Sequence, residues 1–127
     1  MRLFKLLVVD DDEDVLDVFR VLFEKKEGID IETAQNGADA LKKILENNYD
    51  YVVSDTNMPK MDGVELLKKS LVSRPKIKFC LMFSGLNGSD LTKGDILKFG
   101  ADGVVAKPEA LEFVTKRINE LRLDSLA

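Results

Sequence analysis

Apolar residues along the chain alternate between two rhythms five times over. Leu3 to Val9 and Ile77 to Phe83 are largely continuous apolar runs, and Tyr51 to Ser54 is a shorter one. This is how strands read when a parallel sheet covers them on both faces. Gly103 to Ala106 gives a fifth short strand, while Ile29-Asp-Ile31-Glu-Thr33 alternates with period two and predicts a more peripheral one. Between these runs the spacing shifts to three and four. Val15, Val18, Phe19, Leu22 and Phe23 predict a helix with Asp12 or Glu13 near its start and Gly28 just past its end. Asn36-Gly37 opens a second helix carrying Ala38, Leu41, Ile44 and Leu45, which Asn47-Asn48 closes. Val64, Leu67 and Leu71 mark a third helix that must end before Pro75. The stretch 87–99 is the least regular. It holds Gly88, Gly94 and a loose stripe of Leu91, Ile96 and Phe99, which predicts the most mobile helix. Lys107-Pro108 breaks the fifth strand, and Leu111, Val114, Ile118 and Leu121 form the last helical stripe.

Five strand and helix pairs with short connections predict an α/β fold, a doubly wound parallel sheet with helices on both faces. A chain of 127 residues builds one such core, and neither repeat nor linker interrupts it. The tail from Arg122 to Ala127 is too short for an output module, so a single domain over 1–127 is expected.

Composition narrows the chemistry. Nineteen basic against 23 acidic residues give a net charge of −4, which offers no nucleic-acid footprint and no basic block for a membrane surface. The longest apolar run, Phe79 to Phe83, is far short of the ~20 residues that cross a bilayer, and Leu6 to Val9 is too short for a signal peptide, so a cytoplasmic chain is expected. Cys80 stands alone inside that apolar run and reads as a buried structural thiol. Histidine is absent, so any catalysis must rest on carboxylates, hydroxyls or lysine.

Ligands of parallel α/β sheets bind at the C-terminal ends of strands. Asp10, Asp11 and Asp12 follow the first strand, Asp55 the third, Ser84 the fourth and Lys107 the fifth. Three carboxylates within about 4 Å would repel by roughly 4 kcal/mol per pair at an effective dielectric near 20, so they take up protons or hold a cation. All-oxygen ligation with an open face suits Mg²⁺, and Mn²⁺ could substitute. Blander roles suit the neighbours: Asp12 as a helix cap, Asp62 as a turn residue, Met58 and Met61 as loop packing and Pro59 as a loop stiffener.

Over essentially its whole length, the sequence resembles the receiver domains of two-component response regulators, in particular the stand-alone chemotaxis regulators. Val8-Val9-Asp10-Asp11 resembles the acidic pair, Asp55 with Met58-Pro59 and Met61-Asp62-Gly63 the phospho-acceptor segment, Ser84-Gly85 the hydroxyl site and Lys107-Pro108 the lysine. The resemblance implies a flavodoxin-like sheet of order 2-1-3-4-5. It implies that Asp55 takes a phosphoryl group from a sensor histidine kinase or phosphotransfer protein, and that the domain catalyses its own phosphorylation. Asp11, Asp55 and the Asn57 backbone carbonyl would ligate Mg²⁺, with Asp10 acting largely through water. Lys107 and the Ser84 hydroxyl would meet phosphoryl oxygens, and a protein partner would read the change. A phosphorelay shuttle or phosphate sink is the alternative within the family.

The sequence departs from the family at Val104, where an aromatic ring usually stands three residues before the lysine, and at Glu109, which replaces a frequent aromatic after Lys-Pro. Coupling is therefore expected to rest on Ser84 and the Gly85-Leu-Asn-Gly88 loop. Two other classes compete. An aspartate-based phosphohydrolase would share Val8-Val9-Asp10-Asp11-Asp12, but only Glu109 and Glu112 closely follow the lysine and no cap domain is present. A receiver-like module that is never phosphorylated would lack the acidic pair or the acceptor, and both are present.

Overall fold

The computed structural model of the protein describes residues 3–84 and 92–124. The chain runs β1 (Phe4–Val9), α1 (Glu13–Phe23), β2 (Ile29–Ala34), α2 (Gly37–Glu46), β3 (Tyr51–Asp55), α3 (Gly63–Ser73), β4 (Lys78–Phe83), α4 (Lys93–Lys98), β5 (Gly103–Ala106) and α5 (Lys107–Asp124). All strand pairings are parallel and the sheet order is β2-β1-β3-β4-β5. The expected alternation and order are both present.

Each face of the sheet closes its own core. Leu6, Val8, Tyr51, Val53, Cys80 and Met82 pack against α1 and α5, through Leu16, Phe19, Phe23, Val114 and Ile118. Leu7, Val9, Val52, Phe79, Leu81 and Val104 pack the other way, against Ala40 and Ile44 of α2, Leu66 and Leu67 of α3 and Ile96 of α4. Neighbouring strand residues point to opposite faces, so fully buried strands must be apolar throughout. The peripheral β2 is a half-buried edge.

Several boundaries and faces differ from the sequence expectation. On α1 the inward residues are Leu16, Phe19 and Phe23, whereas Val18 is 53% exposed. On α2 the core is reached by Ala40 and Ile44, while Ala38 and Leu45 face outward. Gly28 does not cap α1, whose C-cap is Glu24; its left-handed φ of 82° turns the chain into β2, where its carbonyl accepts from Phe4 N–H. β4 begins at Lys78 rather than Ile77, and α5 begins at Lys107 itself. Proline is tolerated there because the first-turn N–H groups have no helical partner. Of the expected 87–99 helix, residues 93–98 form α4, capped by a reciprocal Thr92–Asp95 box, and Asn87, Gly88 and Leu91 lie outside the described residues.

A polar tie anchors the far edge of the sheet. Asp102, just before β5, accepts two hydrogen bonds from the Arg117 guanidinium at 2.9 Å each, and a third from the Tyr51 hydroxyl at 2.9 Å. Burial alone would raise the Asp102 carboxyl, but Arg117 and Tyr51 outweigh it and hold it below the usual carboxylate range. Cys80 is fully buried, and desolvation pushes its thiol up to about 12, which leaves it inert as expected.

Candidate functional site

Strand register assembles the site. Val9 pairs with Ser54, Asp55 with Met82, and Phe83 with Ala106, so Asp10, Asp55, Ser84 and Lys107 all emerge at one edge of the sheet. Asp10, Asp11 and Asp55 each offer a carboxylate oxygen within 4.8 Å of the others. Asp10 is fully buried, Asp55 is 2% exposed and Asp11 faces solvent. The expected acid cluster is therefore real as geometry, with one open side.

Lys107 closes the cluster from the end of β5. Its Nζ hydrogen-bonds Asp55 Oδ2 at 3.1 Å and forms an ion pair with Asp10 Oδ2 at 3.0 Å. Asp10 Oδ2 is buried and meets the Lys107 ammonium as an ion pair, with no further hydrogen bond among the described residues. Burial raises the Asp10 carboxyl to about 6 and the nearby Asp55 charge adds to this, opposed by the Asp12 N–H and by Lys107. For Lys107, desolvation works against the charged form, but its bonds and attraction to Asp10 and Asp55 prevail and raise it. One lysine offsets only part of three acids. An all-oxygen donor set whose charge one lysine only partly offsets, with an open side, fits a hard divalent cation, with Asp10, Asp11 and Asp55 as its holders.

The segment after β3 aims the Asp55 carboxylate. Asn57 N–H donates to Asp55 Oδ1 at 3.1 Å, an Asx turn that fixes the side chain. Thr56 N–H reaches Met82 carbonyl at 2.9 Å, and Gly63 N–H returns to Thr56 carbonyl at 3.0 Å. Asn57 itself is exposed, Met58 is buried and Met61 half-buried, as loop packing requires. Lys60 turns the loop with a left-handed φ of 69°. Asp62 is more than the expected turn residue, because its side chain caps α3 by accepting from Glu65 N–H at 2.8 Å. Asp12 is the expected cap of α1, accepting from Asp14 N–H at 3.0 Å.

Sequence reasoning missed the role of Gly63. A Cβ there would stand 2.2 Å from the Asp55 carbonyl oxygen and 2.8 Å from Leu81, so the first turn of α3 seats directly on the Asp55 peptide. The signal was the Asp62-Gly63 dipeptide, which reads as a turn whether or not a backbone lies beneath it. Ser84 is exposed and follows the Phe83–Ala106 pair, beside Lys107 in the register. Gly85, Asn87 and Gly88 of the expected coupling loop lie outside the described residues. Val104 is 4% exposed and packs with Leu81 and Ile96 beneath α4.

Comparison with known proteins gives one family. A family model described as the response regulator receiver domain matches residues 6–119. A receiver domain of response regulator 1452 from Francisella superposes with a TM-score of 0.80 at 34% identity, covering 95% of this chain and 98% of that one. A CheY-like receiver domain protein from Methanospirillum hungatei gives 0.80 at 28% identity over 96% and 98%. Among curated relatives, the transcriptional regulatory protein CpxR homolog of Haemophilus influenzae is 39% identical over 82% of this chain and 44% of its own length. PhoP of Bacillus subtilis, an alkaline phosphatase synthesis transcriptional regulatory protein, is 32% identical over 92% and 48%. The chain spans about half the length of these curated relatives. No helix among the described residues is long and apolar enough to cross a membrane.

Proposed function

The chain belongs to the response regulator receiver domain family, and from that premise we propose that Asp55 is its phospho-acceptor, charged by a histidine kinase or phosphotransfer protein. Phosphorylation on aspartate, Mg²⁺ at an acidic pocket and exchange with such donors are general to the family. The observation that carries the assignment to Asp55 is its placement. It is a nearly buried carboxylate whose two oxygens are oriented separately, Oδ1 by Asn57 N–H and Oδ2 by Lys107 Nζ.

In the proposed reaction an Asp55 oxygen attacks the phosphorus of a phosphohistidine. A P–O bond forms as the P–N bond breaks, and the leaving imidazole takes up a proton. Asp10, Asp11 and Asp55, with the Asn57 carbonyl, would hold Mg²⁺, which lowers the charge on the acceptor and phosphoryl oxygens when bound. Lys107 already faces the acceptor oxygen and stays beside the group as charge moves outward onto it. Asn57 N–H keeps the carboxylate from rotating. Ser84, at the same edge and open to solvent, would hydrogen-bond a phosphoryl oxygen and carry the change into the segment that follows it.

Val104 supports a particular mode of readout. A valine under α4, buried against Ile96, offers no ring to swing, so the readout would rest on Ser84 and α4, and a protein partner would recognise the result. α4 is six residues long, the shortest helix among the described residues, which makes it the cheapest to shift. Incubation with acetyl phosphate and Mg²⁺, followed by intact mass, tests the reading. One phosphoryl addition on the wild type and none on Asp55→Asn supports it, and equal addition to both overturns it.

A further inference from the structure

We infer that Gly37, at the start of α2, is a positioning residue for the phosphoryl chemistry, acting through Met61 on the loop that carries Asn57. This role rests on the reading of Asp55 as the acceptor. Gly37 is buried, and a Cβ on it would stand 2.9 Å from both the Met61 carbonyl oxygen and the Met61 Cβ. Its φ is not left-handed, so the helix itself would favour alanine there. What excludes a side chain is the close approach of Met61.

Two glycines from neighbouring helices thus grip one short loop. Gly63 seats α3 on the Asp55 peptide, and Gly37 seats α2 on Met61. Between Asp55 and Gly63 the backbone makes a tight turn. Met61 N–H returns to the Pro59 carbonyl at 2.8 Å, which closes three residues about Lys60, whose φ of 69° is left-handed. A lysine keeps that conformation only while its surroundings over-determine it. Met58 and Met61 supply the hold, since both pack into the core beneath α2 and α3. Asn57 immediately precedes Met58 and donates its N–H to Asp55 Oδ1 at 3.1 Å.

The start of α2 does not yield easily. The Asn36 side chain accepts from Asp39 N–H at 2.8 Å and donates to the Asp39 carboxylate at 3.0 Å, while the Asn36 carbonyl accepts from Ala40 N–H at 3.1 Å. Ala40 and Ile44 bury the helix beyond it. A methyl at position 37 therefore displaces Met61, the turn about Lys60 relaxes, and Asn57 N–H leaves Asp55 Oδ1. The carboxylate then rotates, and orientation is lost at the reacting oxygen.

Gly37→Ala in the full chain tests this, with Lys42→Gly as control. Lys42 is exposed in the middle of α2, and glycine there weakens the helix without approaching the loop. By NMR of the metal-free protein, hydrogen exchange at the Asn57 amide should quicken roughly tenfold in Gly37→Ala and stay at the wild-type rate in Lys42→Gly. Phosphorylation of the folded fraction by acetyl phosphate and Mg²⁺ should slow roughly fivefold in the first and not in the second. Met61→Ala empties the same contact instead of crowding it. It should reproduce both effects, and it decides the matter if Gly37→Ala does not fold. Unchanged Asn57 exchange would overturn the inference, as would equal changes in Lys42→Gly or faster exchange with an undiminished rate. A wild-type chain that takes up no phosphate would refute Asp55 as the acceptor and the chemical role of Gly37 with it, while the exchange comparison would still decide whether Gly37 holds the loop.

Discussion

Lys107 Nζ lies 3.1 Å from Asp55 Oδ2, so a residue at the start of α5 holds the carboxylate at the end of β3 across the intervening β4. The same ammonium faces Asp10 at 3.0 Å, which makes Lys107 the cation on which the cluster of acids depends. Two effects therefore separate on removing it. In Lys107→Met, phosphorylation by acetyl phosphate should slow by at least tenfold, since a charge aimed at the reacting oxygens is lost. Mg²⁺ should bind more tightly, because a competing positive charge has gone. Rates by quench and intact mass, with affinity by calorimetry, check the pair. A slower reaction with weaker Mg²⁺ binding would mean that Lys107 merely supports the fold.

Gly63 predicts a coupling between packing and chemistry. In Gly63→Ala the new methyl meets the Asp55 carbonyl and Leu81, and the nearest atom is backbone that cannot swing aside. Denaturant midpoints should fall by an amount equivalent to about 1–3 kcal/mol. Protein that remains folded should be phosphorylated several-fold more slowly, because the Asp55 peptide has shifted. Stability loss with an unchanged rate for the folded fraction would separate Gly63 from the site.

The Asp102–Arg117 pair predicts a pH dependence. Asp102 is held below its ordinary value in the fold, so the pair stabilises the protein fully above the unfolded carboxyl value near 3.8 and loses that contribution as pH falls through the lower folded value. Arg117→Met should cost about 1–3 kcal/mol at neutral pH, since two charge-assisted bonds to Asp102 and an exposed third to Glu120 go, while the Tyr51 bond remains. Chemical denaturation of both proteins at pH 7 and stepwise below pH 4 checks this. The gap between them should close toward acid, and a gap that stays constant would contradict the assignment.

The elements and the site were legible to different depths in the sequence. Strand runs such as Leu3 to Val9, and the positions of Asp10, Asp55, Ser84 and Lys107 after strands, could be read directly, because a buried parallel strand admits little but apolar residues and its mouth is where they stop. The inward face of α1 was ambiguous, since Val15, Leu16, Val18 and Phe19 are all apolar and only packing against β1 and α5 selects Leu16 over Val18. The Tyr51–Asp102–Arg117 tie was invisible, because its members lie far apart in sequence and meet only through strand order. Gly63 could not be distinguished from an ordinary turn glycine, because its constraint lies in the Asp55 backbone beneath it.

The central claim is that Asp55 alone of the three clustered carboxylates carries the phosphoryl group. Borohydride reduction converts an aspartyl phosphate to homoserine, which peptide mass spectrometry locates. After acetyl phosphate and Mg²⁺, homoserine should appear at position 55, with Asp10 and Asp11 unmodified and no conversion when chelator replaces the metal. Homoserine at position 10 or 11, or none at 55 from a chain that has gained phosphate, would contradict the claim.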